Sequence, residues 1–275
     1  MATNPLQKYF RQPKVFIRLP SGGIYSKPGT IQGDVNHMPV YGMTGMDEIV
    51  LKTPDALLTG ESTSHVISSC CPNIKDPWEV SVIDVMLILA AIRVSTFGPT
   101  MPVTHKCDKC EADNEYDLDL NRIIEHYMAC QFDNTVVDGE IKIKVQPLTY
   151  RQSTELNLKN FKLQQRLAQV DAIDDAEERQ VKMAPMFKEL GQIQNEIYKL
   201  MVESIDMGTQ VVTDKVFIDE WLDNCDREVF EHIKELTQKN NDTWTVPTFP
   251  VKCDSCGEEA NLTVQLDESN FFVKA

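Results

Sequence analysis

The chain has 275 residues, 42% hydrophobic and 25% charged, enough to bury a core and ordinary for a globular protein. Asp plus Glu total 42 against 27 Lys plus Arg, a formal net charge of -15, which repels phosphate backbones and disfavours a nucleic-acid partner. The most apolar run, Val85 to Ile92 between Asp84 and Arg93, is far short of the ~20 residues that span a bilayer, so it reads as a buried helix and no membrane partner is expected.

Residues 1–35 read as an extended arm. Lys8, Arg11, Lys14 and Arg18 are basic and no acid precedes Asp34. Tyr9, Phe10, Val15, Phe16 and Ile17 interleave with them, and Pro5, Pro13 and Pro20 discourage a helix. Such an arm either lies on another protein or straps its own acidic body. No apolar segment of a secretory signal is read here. Leu19 to Gly23, "LPSGG", is a turn; a phosphate-binding loop would need a strand-to-helix setting.

Residues 36–149 read as the first half of a core. A strand at Met38–Thr44 leads into a helix from Gly45 to Leu58. Thr44 caps that helix, and Asp47 and Glu48 favour its first turn. A second helix runs from about Pro77 to Val94. "KCDKC", Lys106 to Cys110, then precedes Glu115–Leu120, a strand with apolar residues at alternate positions.

Residues 150–207 read as an inserted helical hairpin. Leu163, Leu167 and Val170 form one seam; Met183, Met186, Leu190, Ile193, Ile197, Leu200 and Ser204 form the other, as in a coiled coil. The acids Asp171, Asp174, Asp175, Glu177 and Glu178 suit the turn between them. The seam either fills itself or leaves a Met-rich face (Met183, Met186, Met201, Met207) for a partner. Residues 208–275 read as the second half of the core: a helix from about Asp214 to Lys239, then "KCDSC", Lys252 to Cys256, then the alternating strand Asn261–Leu266. A second Thr cap, Thr149, follows the strand Ile141–Leu148, so both halves share one order and the core reads as a duplication.

Each Cys-x-x-Cys turn supplies half of a zinc tetrahedron. Matching flanks (Lys before, Asp after the first cysteine, then a strand) point to one structural zinc held by Cys107, Cys110, Cys253 and Cys256. A redox pair would instead sit at a helix N-terminus. Gly257 suits a tight knuckle, and Glu111 in its place is a weaker match. His105 is a bystander beside four sulfurs; Cys70, Cys71, Cys130 and Cys225 read as core or surface thiols. The five histidines form no motif with a nucleophile, and no catalytic fingerprint is present, so no enzyme is expected. The expected fold is α+β: a duplicated strand–helix–zinc-knuckle core with a projecting antiparallel helical hairpin.

"LPSGGIY" (Leu19–Tyr25), "PVYGMTGMDE" (Pro39–Glu48), "DVMLILAAIRVSTFG" (Asp84–Gly98) and the following "CDKC" together resemble the baseplate hub and hub-assembly proteins of T-even-like contractile-tailed bacteriophages. The likeness covers about the first 120 residues and, less fully, the knuckle at Cys253. It implies a non-enzymatic structural or assembly protein of the baseplate hub, in the virion tail or in the host cytoplasm during assembly. Its partners would be other tail proteins or a second copy of this chain. The rival readings are a zinc-ribbon nucleic-acid-binding or transcription-related factor and a thiol oxidoreductase. Asp108, Glu111, Asp113, Glu115, Asp117, Glu258 and Glu259 around the knuckles oppose the first rival.

Overall fold

The computed structural model describes residues 4–52 and 59–264. In chain order these form β1 (Val15–Ile17), β2 (Met38–Val40), α1 (Gly45–Leu51), α2 (Glu61–Cys70), α3 (Val82–Phe97), β3 (Thr100–Lys106), β4 (Asp113–Asp119), α4 (Asn121–Ala129), β5 (Thr135–Asp138) and β6 (Ile141–Val145). There follow α5 (Tyr150–Asp171), α6 (Ala176–Met201), β7 (Val202–Asp206), β8 (Val211–Val212), α7 (Lys215–Asn224), α8 (Arg227–Thr243), β9 (Phe249–Lys252) and β10 (Glu259–Leu262). Helices and small antiparallel sheets are mixed along the chain, an α+β fold. Contacts divide it into two compact units: Met1–Gln131 with Trp244–Ala275, and Phe132–Thr243. Among the described residues no helix is long and apolar enough to cross a membrane.

The apolar run read from sequence lies within α3, which is buried on almost every side and packs against β1, β2, α2 and α4. Two motifs of the sequence are explained by this packing. Gly42 lies so close to α3 that a Cβ would sit 2.8 Å from the Ser95 carbonyl oxygen, and only glycine fits there. Ser21, in the "LPSGG" turn, points both its amide and its hydroxyl at the carboxylate of Asp84, which is fully buried on α3. Burial pushes the Asp84 carboxyl up to about 6, although the two Ser21 bonds favour its charged form.

The N-terminal segment straps its own unit from Arg11 onward. β1 pairs antiparallel with β2, and Ile17 and Leu19 are buried. The Arg11 guanidinium donates to the carbonyls of Gly42 and Ser69, each at 2.6 Å, and lies 3.6 Å from the Asp47 carboxylate. Tyr9, Phe10 and Phe16 stay exposed.

Thr44 does cap α1, and it does so in a reciprocal box: its hydroxyl accepts the Asp47 amide at 3.3 Å and Asp47 accepts the Thr44 amide at 2.7 Å. Thr149 and Gln152 repeat the box at the start of α5. α1 ends at Leu51, and the residues expected to continue it, 53–58, lie outside the described residues.

The second unit is a four-stranded antiparallel sheet, β5-β6-β7-β8, with α7 and α8 packed on it. Val136, Ile143, Val145, Val202, Ile205, Ile218, Leu222, Ile233 and Leu236 fill the space between. α5 and α6 pack antiparallel, as the ion pairs Lys159–Glu196 and Arg166–Glu189 show: residue numbers rise on one helix as they fall on the other. Leu156, Leu163 and Ile193 are the centre of their seam, with Leu167, Met186, Leu190, Ile197 and Leu200 around them. Of the four methionines, Met183 and Met186 lie on one side of α6, and the other two are elsewhere. Met186 packs in the seam, Met201 is buried and Met207 lies beyond β7.

Three helix boundaries differ from expectation. The helix expected from about Pro77 starts at Val82, because Pro77–Glu79 forms a separate 3-10 turn and Val80 is extended. The helical run expected to Met207 ends at Met201, because Val202–Asp206 finds ladder partners on β6. Lys215 donates its ammonium to the carbonyls of Lys199 and Val202, occupying acceptors that the end of α6 leaves free. The single helix expected from Asp214 to Lys239 is two helices. Cys225 is extended, with φ −71° and ψ 159°, and breaks the run between α7 and α8.

Candidate metal centre

Two hairpins of the first unit carry the paired cysteines. β3 and β4 pair from Thr100↔Asp119 to Lys106↔Asp113, which leaves Cys107 to Ala112 as the loop. β9 and β10 pair from Phe249↔Leu262 to Lys252↔Glu259, which leaves Cys253 to Glu258 as a loop of the same length. The alternation read after each Cys-x-x-Cys is real. Asn114 and Leu118 turn inward on β4, and Leu262 does so on β10; Gln265 and Leu266 lie outside the described residues.

Both loops make the same turn. The Cys107 amide donates to the Ala112 carbonyl and the Glu111 amide to the Cys107 carbonyl, each at 2.9 Å. In the second loop Cys253 donates to Glu258 at 2.8 Å and Gly257 to Cys253 at 2.9 Å. The turn needs a left-handed residue at one position. Gly257 takes it with φ 73°, and Glu111 takes it with φ 57°, alone among the described non-glycine residues. The weaker match of Glu111 is thus one of residue type; its backbone conforms.

The four thiols converge. Their sulfurs lie within 4.8 Å of one another, with Cys107 Sγ 3.7 Å from Cys256 Sγ and Cys110 Sγ 3.6 Å from Cys253 Sγ. The first cysteine of each loop therefore faces the second cysteine of the other. A zinc ion with bonds of ~2.3 Å to sulfur has sulfur–sulfur edges of about 3.8 Å, so the donor set fits zinc in size and in chemistry. A disulfide would hold its sulfurs at ~2.05 Å, and all eight cysteines are free. Cys107 and Cys253 are buried, Cys110 and Cys256 exposed.

Backbone amides prepare the site for a cation. The amide of Cys256, with that of Ser255 and the Cys110 and Cys256 thiols, holds the Cys253 thiol below its ordinary 9.0, at about 6. At Cys110 the Ala112 amide favours the thiolate, but Cys256, burial, Cys253 and Cys107 outweigh it and push the thiol up to about 12. A ready thiolate at Cys253 facing a proton-holding thiol at Cys110 is a pair that a bound cation would complete by displacing a proton.

Asn114 joins the two loops and was not singled out in the sequence. Its side-chain carbonyl accepts the Asp254 amide at 3.0 Å, and its amide group donates to the Ala112 carbonyl at 2.9 Å. The available signal was a polar side chain at an inward position of an alternating strand. Lys109 and Glu258 add an exposed ion pair across the loops at 2.7 Å. His105 stands apart from the sulfur cluster, and its buried Nε2 has no hydrogen bond among the described residues. Cys70, Cys71, Cys130 and Cys225 lie outside the cluster. Burial pushes the Cys70 thiol up to about 12 and the Cys71 thiol higher still.

The family model described as "T4 bacteriophage base plate protein" matches residues 43–273. The chain belongs to that family. Comparison with curated proteins and with solved structures gave no match. The match to the baseplate family is wider than the resemblance seen in the sequence. It covers all four clustered cysteines and the α5–α6 hairpin, while Leu19–Tyr25 and the rest of the N-terminal segment precede it.

Proposed function

We propose that the chain is a non-enzymatic structural or assembly protein of the baseplate hub of a contractile-tailed phage. In this reading it works by docking on other tail proteins or on a second copy of itself. The family match carries the proposal. Cys107, Cys110, Cys253 and Cys256 would hold one structural zinc, tying together hairpins that enclose little apolar volume of their own. With four sulfurs as ligands no coordination position stays open for chemistry. The shared turn of the two loops, the first-to-second facing of their cysteines and the two Thr capping boxes support a duplicated core. Residence in the virion tail follows from the baseplate role, with the host cytoplasm as the place of assembly.

Mass spectrometry of purified particles against infected-cell lysate tests this reading. Co-purification with other tail proteins is the expected result, in particles or in assembly intermediates. Recovery from lysate only as a free chain, with no tail protein attached, would overturn it.

A further inference from the structure

The residues before Asp34 include Lys8, Arg11, Lys14, Arg18 and Lys27 and no acid, in a chain of net charge -15. Arg11 and Lys27 are engaged within the first unit, the former at Gly42, Ser69 and Asp47, the latter with Glu79 at 2.7 Å. Lys8, Lys14 and Arg18 are exposed, and none of the ion pairs among the described residues includes them. Lys8 lies over the Tyr9 ring at 4.8 Å, and Arg18 donates to the uncharged Met128 carbonyl at 2.6 Å.

Strand geometry gathers these charges around rings. On β1, Ile17 turns inward, so Lys14, Phe16 and Arg18 share the solvent side. Phe16 stacks on His37 with centroids 4.3 Å apart and planes 9° apart. Tyr9 is 73% exposed and Phe10 55%. The result is a cationic, aromatic face on an otherwise acidic protein.

The complementary chemistry exists on the same chain. The turn between α5 and α6 carries Asp171, Asp174, Asp175, Glu177 and Glu178, all exposed, with Val181 and Phe187 exposed on the following turns of α6. Acids beside bare apolar side chains are what a face of lysines and aromatic rings can cover. We propose that the N-terminal cationic-aromatic face docks on the acidic α5–α6 turn of a second copy of this chain. The proposal deepens the docking reading by naming one partner and one surface. Face and counter-face differ, so the contact is head-to-tail and propagates into a ring or a short filament. At physiological salt, charges more than about 8 Å apart are screened, so contact-range pairs outweigh the repulsion between two acidic bodies.

Sedimentation velocity of the full chain, from micromolar to high micromolar concentration at about 0.15 M salt, tests it. Concentration-dependent association is expected. Lys8→Glu with Lys14→Glu should weaken it at least tenfold, and Asp171→Lys with Asp174→Lys should do the same. Mixing the two variant proteins should restore association, because the intact face of one meets the intact turn of the other. Near-UV circular dichroism checks folding; if Lys14→Glu disturbs β1, Lys8→Glu alone, outside the strand, carries the test. A monomer throughout, association indifferent to either variant, or no rescue on mixing would overturn the proposal. So would retention on polyglutamate or single-stranded DNA without self-association, which would assign the face to a foreign acidic protein or to nucleic acid. Co-purification with other tail proteins is read separately, so the docking function survives or fails on its own measurement.

Discussion

Two parts of the first unit are held together in opposite ways. Around α3, side chains from β1, β2, α2 and α4 exclude water, and polar groups such as the Asp84 carboxylate are satisfied by the protein itself. In the paired hairpins little is buried. β9–β10 offers Phe249 and Leu262, and β3–β4 offers Leu118 and Asn114. Strand pairs of this size are marginal in water unless something else supports them. What joins the hairpins is four converging sulfurs and Asn114, so with the proposed zinc their stability would depend on the solution as well as on the chain. One unit thus contains a layer stabilised by burial and, in the reading proposed above, a clasp that a bound zinc would stabilise by coordination.

The largest expected effect breaks the comparison at the clasp. Purified protein should hold about one zinc per chain through four sulfurs at ~2.3 Å, read by metal analysis and X-ray absorption. Structural zinc in small peptides contributes roughly 10–16 kcal/mol in apparent terms, so a chelator should melt the hairpins well below the α3 layer and separate one thermal transition into two. Cys107→Ser and Cys253→Ser should cost similar amounts. Two zincs per chain, or a cost confined to one loop, would show that the loops do not share a metal.

The second prediction concerns pH and separates the layer from the clasp. Asp84 titrates at about 6 in the folded protein and near 3.8 when unfolded, so between those values the folded state holds a proton that the unfolded state has lost. Stability of the α3 layer should therefore fall as pH rises from about 4 to about 6, by about 3 kcal/mol at most, and stay flat above. Asp84→Asn should remove that slope. The hairpins should respond in the other direction, because acid returns protons to the thiols and displaces a bound cation. Thermal melts of both proteins across this range decide the point; identical slopes would mean that Asp84 titrates normally.

Asn114→Ala comes third. It removes one part-buried hydrogen bond between the loops, from the Asp254 amide, and one within the first hairpin, to the Ala112 carbonyl, at a cost of about 1–3 kcal/mol, and should raise the rate of metal loss to a chelator. An unchanged rate would mean that the sulfurs alone set the register of the hairpins. The smallest effect distinguishes the two turns. Gly257→Ala should destabilise the clasp by about 1 kcal/mol, since a Cβ is disfavoured at φ 73°. Glu111→Gly should be neutral or slightly stabilising, because it relieves the same strain and loses only an exposed ion pair with Lys106. Equal penalties at both sites would contradict the shared turn.

Much of the clasp was legible in the sequence because metal-ligand spacing is a local property. Two Cys-x-x-Cys pairs and the alternation after them fix residue types within a few positions of each other. Asn114 was not legible as a tie, since its partner amide is at Asp254, and no local pattern encodes a contact of that range. The same reasoning separates the helices. The apolar run of α3 announces itself, whereas α2, "ESTSHVISSC", is rich in Ser and Thr and is helical because its Val66, Ile67 and Cys70 are buried. Val202–Asp206 continues a helical pattern by periodicity but pairs with β6, a case of tertiary pairing overriding local preference. Cys225 interrupts what otherwise reads as one amphipathic helix; its neighbours Asn224 and Asp226 are residue types favoured at helix ends, a signal that the apolar periodicity masks.

The clasp joins Cys107 to Cys256, positions separated by 149 residues. During translation the first pair of thiols leaves the ribosome long before the second. At about 5–20 residues per second the delay is roughly 7 to 30 s. The whole second unit is synthesised in that interval and can complete its sheet and helices while Cys107 and Cys110 wait as open thiols. A chain cut short after the second unit would carry the α5–α6 hairpin and the Cys107–Ala112 loop without the β9–β10 hairpin that faces that loop.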